Sequence, residues 1–221
     1  MLRLLILSTL FFLARWTLAQ DTIPVYQEPY HHLVFANDEI RILDVRLQPG
    51  DTSAWHVHRD AITYIGLEGS RIWLDVPGEH PRSVYLPDDF WGGDIEYPET
   101  PFVHRIANVG FQPFRLIAIE HLTPRKSVGN ATPIQEEWET LDRNPFFTIH
   151  KTMIHQQGEI HDLLTGPVVL ICRGPGLLLL HQTGTTSSMQ QGDWRFWARE
   201  SEAYSIENPG TEPMEVLLIQ L

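Results

Sequence analysis

Three histidines carry the densest chemical signal in this sequence. His56 and His58 flank Val57, and His104 opens the run His104-Arg105-Ile106-Ala107-Asn108. In an extended strand the side chains alternate between faces, so imidazoles at i and i+2 point the same way. A third histidine from a neighbouring strand then completes a three-nitrogen face for a divalent transition metal. Three neutral imidazoles leave the charge of an ion uncompensated and leave coordination positions open for water, an anion or oxygen. A closed structural zinc site wants a fourth protein ligand, and none is obvious. Iron, copper, zinc, nickel and manganese all remain open, because imidazole nitrogen suits several of them. By contrast His31, His32, His80, His121, His150, His155 and His181 have no such spacing and read as solvated or core residues.

These side chains need strands to hold them, and short β-like runs dominate the chain. Glu39–Leu47, Ala61–Leu67, Ile72–Val76, Phe102–Ala107 and Phe114–Glu120 are bounded by Gly, Pro, Asn and Asp. Only Gln135–Leu141 suggests a short helix. Regular strands separated by turns predict an all-β sandwich or barrel. The pattern occurs twice. Asn108, Gly110, Pro113 and Ile119 recur as Asn208, Gly210, Pro213 and Ile219, and Gly92 recurs as Gly192. Upstream, with a short gap, Gly69 pairs with Gly174, which maps His56, His58 and His104 onto His161, Leu163 and Tyr204. The ungapped alternative sets Gln156 and Gly158 opposite the first two histidines. Either way the second copy lacks a metal face and is expected to be structural, or to bind something without metal. Thr123–Thr140, with its Pro and Gly residues, reads as the connector.

Composition narrows the partners. The 221 residues suit one large or two small domains, and 43% hydrophobic residues supply a core to each half. The net charge is −12 and no basic cluster exists, so nucleic acid and anionic lipid are not expected partners. At the N-terminus Arg3, the largely apolar run Leu4–Leu13 and the small residues Thr17 and Ala19 read as a secretory signal peptide cleaved after Ala19. The run is too short for a membrane span, which needs about 20 apolar residues. The mature chain is thus expected to be periplasmic or secreted, with no membrane association. A protein exported unfolded takes up its metal outside the cytoplasm, which weakens the case for iron. The lone Cys172 excludes an intrachain disulfide, and its apolar run predicts a buried, inert thiol. Nucleotide-binding glycine loops, serine-nucleophile motifs and cysteine zinc motifs do not occur.

At these residues the chain resembles the cupin superfamily, in its two-domain bicupin form. The first cupin motif is matched by Gly50, His56-Val57-His58 and Gly69; the second by Gly93, His104 and Asn108. Pro98 stands one residue early, and Pro101 replaces the second motif's later glycine. The resemblance implies two tandem jelly-roll (double-stranded β-helix) barrels. Their division would be 1–19 signal peptide, 20–125 metal-binding domain, 126–141 linker and 142–221 degenerate domain. The motif glutamate is missing, since its place falls on Ile62, and Asp60 is the nearby carboxylate that could substitute. The remaining set is similar to the three-His cupins, among them thiol dioxygenases. If Ile62 faces inward so does Tyr64, a candidate proton-transfer group whose alternative is simple packing. Phe102 and Ile106 share the face of His104 and supply apolar walls. Trp55, Trp73, Trp91 and Tyr97 add aromatic surface, some of it core and some at the mouth. Asp94, Glu96 and Glu99 read as a solvated loop. The implied function is an exported, metal-dependent, oxygenase-like enzyme acting on a small organic molecule, with lyase or isomerase chemistry as variants. A non-catalytic small-molecule or metal-binding module is the alternative, an interaction protein the third, and a homo-oligomer stays open.

Overall fold

The structure is a computed structural model and describes residues 22–123, 138–164, 166–182, 184–198 and 202–221. The expected signal peptide and most of the expected connector lie outside the described residues. The N-terminal half contains β1 (Ile23–Pro24), β2 (His31–Ala36), β3 (Ile40–Leu47), β4 (His56–His58), β5 (Ala61–Glu68), β6 (Ser70–Asp75), β7 (Arg82–Leu86), β8 (Trp91–Asp94), β9 (Phe102–Asn108) and β10 (Phe114–His121). The C-terminal half contains β11 (Glu139–Arg143), β12 (Thr148–Ile154), β13 (Glu159–Leu164), β14 (Val168–Cys172), β15 (Leu177–Gln182), β16 (Thr185–Gln190), β17 (Trp194–Trp197), β18 (Glu202–Glu207) and β19 (Met214–Gln220). Part of the expected helix Gln135–Leu141 is therefore strand: Glu139 to Leu141 belong to β11, which pairs with β12, and tertiary pairing overrides a weak helical pattern.

Each half is two facing sheets rather than a closed barrel. The first half has sheets β1-β4-β9-β6-β7 and β2-β3-β10-β5-β8; the second has β13-β18-β15-β16 and β11-β12-β19-β14-β17. Apart from β1 the two orders are the same, strand for strand. Alternation along the strands produces three cores. Leu43, Val45, Ile62, Leu116 and Ala118 fill the first half, and Leu170, Leu178, Ile206 and Leu218 fill the second. The opposite faces of β3, β5, β10, β12, β14 and β19 meet between the halves through Ile42, Ile65, Ile117, Ile119, Phe147, Ile171 and Ile219. This is why those central strands are apolar on both faces. Cys172 is fully buried, and burial pushes its thiol up to about 12, as an inert core residue requires.

The recurring Asn-x-Gly is a knot that closes each half. The Asn108 amide donates to the carbonyls of Leu47 (3.0 Å) and Gln112 (2.8 Å), and its oxygen accepts from Gly110 N. Asn208 donates to Ile154 (2.9 Å) and Glu212 (2.7 Å) and accepts from Gly210 N. Gly110 must be glycine, since a Cβ there would meet Ser70 Oγ at 2.3 Å. The backbone of each asparagine also pairs with the turn that follows the half's long strand, at Gly50-Asp51 and at Gln157-Gly158. That turn needs a left-handed residue: Gly50 has φ 91° and Gln157 has φ 55°.

Candidate metal centre

The centre is built on the ladder between β4 and β9. His56 lies directly opposite His104, Val57 opposite Val103, and His58 opposite Phe102. This register places all three imidazoles on the inner face. Ring centroids are 5.2 Å apart for His56 and His58, 4.5 Å for His56 and His104, and 4.9 Å for His58 and His104. One nitrogen from each ring lies within 4.8 Å of the others, and this is the one such group of three metal-ligating side chains among the described residues. All three rings are buried.

The nitrogens have the character a cation demands. His56 Nδ1 is 2.9 Å from the Ala54 carbonyl, to which it donates, so its lone pair sits on Nε2. His56 Nε2, both nitrogens of His58 and His104 Nδ1 are buried with no hydrogen-bond partner in the protein. Each such orphan costs about 1–3 kcal/mol, a cost that a coordinated ion removes. Burial, reinforced by His31, brings the His56 imidazole down to about 4. Burial and the neighbouring histidines hold His58 and His104 well below their usual value. All three rings are therefore neutral ligands at neutral pH. The residues present fit a divalent transition metal held by His56, His58 and His104.

Support comes from a pair that spacing did not single out. The short helical turn Val25–Gln27 and strand β1, which pairs in parallel with β4, bring Glu28 and His31 beneath the site. The His31 ring packs 4.6 Å from His56, and its Nδ1 is 2.5 Å from Glu28 Oε2. Glu28 also accepts from the amides of Tyr30 and Ala54, the latter in the residue whose carbonyl orients His56. Burial would push the Glu28 carboxyl up, but His31 and these amides hold it below its usual range. Histidine following a carboxylate by three residues was the available signal; it has meaning only once β1 docks beside β4.

The other expected residues separate. Ile62 is fully buried in the first core, and among the described residues no carboxylate joins the three histidines. Asp60 does not substitute: it is turned to Arg41, 3.1 Å away, which also binds Glu120 at 2.8 Å. Tyr64 lies inside the same half with its ring 6.4 Å from His58, and it shares a hydrogen bond with Tyr97. Burial raises its phenol well above the usual value, so it keeps its proton at neutral pH. Tyr97 packs 5.4 Å from His58 and stacks on Phe102, which is 4.7 Å from His104. Phe102 and Tyr97 thus form the apolar wall, with Ile106 packed on the first core. Trp73 and Trp91 are exposed rather than core, and Trp55 lies under Arg105. Glu96 and Glu99 line a cavity of about 590 Å³ with Asp60 and Phe146, and no histidine of the centre lines it.

Among the described residues the second half shows no counterpart, and its register corrects the sequence alignment. Asp162 pairs with Tyr204, and His161 pairs with Ser205. The strand partner of the His104 equivalent is thus Asp162, not His161. A slip of one residue exchanges the two faces, and the His161 side chain is indeed exposed. Tyr204 is buried and stacks against Trp197.

No protein-family model matches the sequence, and no curated protein matches it. Solved structures do resemble the fold. AerE from Microcystis aeruginosa is 12% identical, with 87% of this chain and 97% of that one covered at a TM-score of 0.56. A cupin 2 conserved barrel domain protein from Leptotrichia buccalis is 10% identical, with 86% of each covered at 0.53. The chain has the cupin fold. A salicylate 1,2-dioxygenase from Pseudaminobacter salicylatoxidans shares this cupin architecture at 14% identity, with 82% of this chain and 70% of that one covered and a TM-score of 0.55.

Proposed function

We propose that this cupin is an exported metal-dependent enzyme that acts, in an oxygenase-like manner, on a small organic molecule. The observation that carries the reading is the set of buried, unpaired imidazole nitrogens converging from His56, His58 and His104. A bound divalent metal would supply a Lewis-acid centre with open positions. The protein's own contribution is to hold three neutral rings in place, to line the centre with Tyr97 and Phe102, and to keep a proton on Tyr64 as a hydrogen-bond donor. Similar folds support a small-molecule substrate: salicylate 1,2-dioxygenase is one, and it has been solved as adducts with gentisate. The export reading rests on Arg3, the apolar run that follows it, and Ala19.

Metal analysis of the mature protein from its own compartment tests the centre. One equivalent of transition metal is expected in the native protein and none at this site in a His56→Ala/His58→Ala/His104→Ala variant. Oxygen uptake with thiols, phenols and small acids is then expected only in the metal-loaded native form. A loaded protein that binds such molecules without turnover or oxygen use would make it a binding module instead.

A further inference from the structure

Glu120 is a buried carboxylate inside the first half that the metal centre does not use. On β10 it follows Leu116 and Ala118 at period two, and both of these fill the first core. Its side chain therefore enters the same interior as the three imidazoles. Arg41 of β3 stands opposite it on one side and Ile62 of β5 on the other. Arg41 Nη1 donates to Glu120 Oε2 at 2.8 Å and to Asp60 Oδ2 at 3.1 Å. The second carboxylate oxygen, Glu120 Oε1, is buried and has no hydrogen-bond partner among the described residues. An unmade bond on a buried charged group costs more than one on a neutral group. One guanidinium also serves two carboxylates, so the cluster carries one negative charge that Arg41 does not balance. Burial accordingly lifts the Glu120 carboxyl to about 7 against the pull of Arg41. In the second half the same ladder position is the neutral Gln220, whose Oε1 lies 3.2 Å from His150 Nε2 and so is not left unmade.

Glu120 stands one row of the sheet from the wall of the centre. Tyr64 is its diagonal neighbour across β5 and β10, about 7–8 Å away, and the Tyr64 ring is 6.4 Å from His58. Tyr97, Phe102 and Ile106, which flank the imidazoles, are only half-buried, so the interior is open to solvent on that side. On the other side Tyr26 is half-buried too, and its ring centroid lies 4.2 Å from the Arg41 guanidinium carbon. We infer that Glu120 Oε1 anchors the ammonium group of a small amine-bearing substrate whose other end reaches the centre of His56, His58 and His104. The inference rests on the small-molecule function proposed for that centre and names the substrate class. An ammonium ion supplies both things the cluster lacks, a donor for Oε1 and a second positive charge. An alcohol supplies only the donor, and a carboxylate supplies neither.

Calorimetric titration with propylammonium and butylammonium, against propanol and butanol, tests the inference on metal-free and metal-loaded protein alike. The ammonium ions should bind saturably and about 10-fold tighter than the alcohols of the same length, as a bond to a charged group outweighs one between neutral groups. Glu120→Gln keeps the shape and removes the charge, and should bring the two classes within about 2-fold of each other. A second measurement needs no variant: saturating propylammonium should move the Glu120 carboxyl of the native protein down from about 7, followed by carboxyl-carbon NMR. Equal binding of ammonium and alcohol, a preference that survives Glu120→Gln, or no saturable binding (a buried water alone at Oε1) overturns the inference. Metal content is read separately, so a centre without metal and a chamber without amine recognition give different results.

Discussion

The two halves share a scaffold and differ in their contents. Asn108 and Asn208 tie their halves with the same pattern of donated and accepted bonds, on strands in the same order. At the places where the first half carries His56 and His104, the second carries Asp162 and Tyr204. The contrast extends to the strand ends. Arg41 pairs with Glu120 in the first half; the equivalent ladder position in the second pairs Thr148 with Gln220, which lies 3.2 Å from His150. Bonds that close the architecture are the same in both copies. Among the described residues, the interior cluster of imidazoles belongs to the first half alone, and Glu120 gives way to the neutral Gln220 in the second.

The largest expected effect tests the shared part. Asn108→Ala and Asn208→Ala should each cost about 3 kcal/mol, because buried carbonyls lose their donor. Asn108 should cost somewhat more, since Ser70 also donates to it. Chemical denaturation reads both. Only Asn108→Ala, at the end of the strand carrying His104, should also weaken metal binding; equal weakening by Asn208→Ala would break the distinction between the halves.

A pH titration probes the unshared part. Burial raises the Glu120 carboxyl to about 7 against Arg41's opposing pull, from an ordinary 4.5. Between those values the folded state binds more protons than the unfolded chain. Stability from this group is therefore full below about pH 4.5 and declines as the pH rises to about 7, by about 3 kcal/mol. Glu120→Gln copies the neutral residue at Gln220 and should flatten that decline. An unchanged slope in denaturation measured from pH 4.5 to 7 would remove Glu120 as its source. The smallest effect is expected from Glu28→Gln, which loosens His31 and the turn orienting His56. Metal affinity, read by titration of the metal-free protein, should fall about 10–100-fold.

Much of this was legible from local pattern. The short β-like runs Glu39–Leu47 and Phe114–Glu120, bounded by turn residues, marked strands that form within a residue or so of those bounds. The i, i+2 histidines shared a face because period two demands it. Asp60 could not be judged from proximity in sequence, since its partner Arg41 comes from another strand. The alignment of His56 with His161 failed for a related reason: residue spacing does not report ladder register, and one residue of slip turned an expected inner ring outward. Glu28 and His31 carried no motif and became part of the centre only through the parallel pairing of β1 with β4.

By itself the sequence determined that the chain is a duplicated β protein, that the first copy alone bears three histidines at strand spacing, and that its one thiol lies in an apolar strand. These follow from periodicity and residue type, which act over a few neighbours. Only the tertiary structure decided that the three imidazoles converge, that Asp60 turns to Arg41 instead of standing in for the missing glutamate, and that Glu120 is buried beside Arg41. Those outcomes depend on which strands pair and in what register, and that is settled by the packing of whole sheets rather than by any local run of residues.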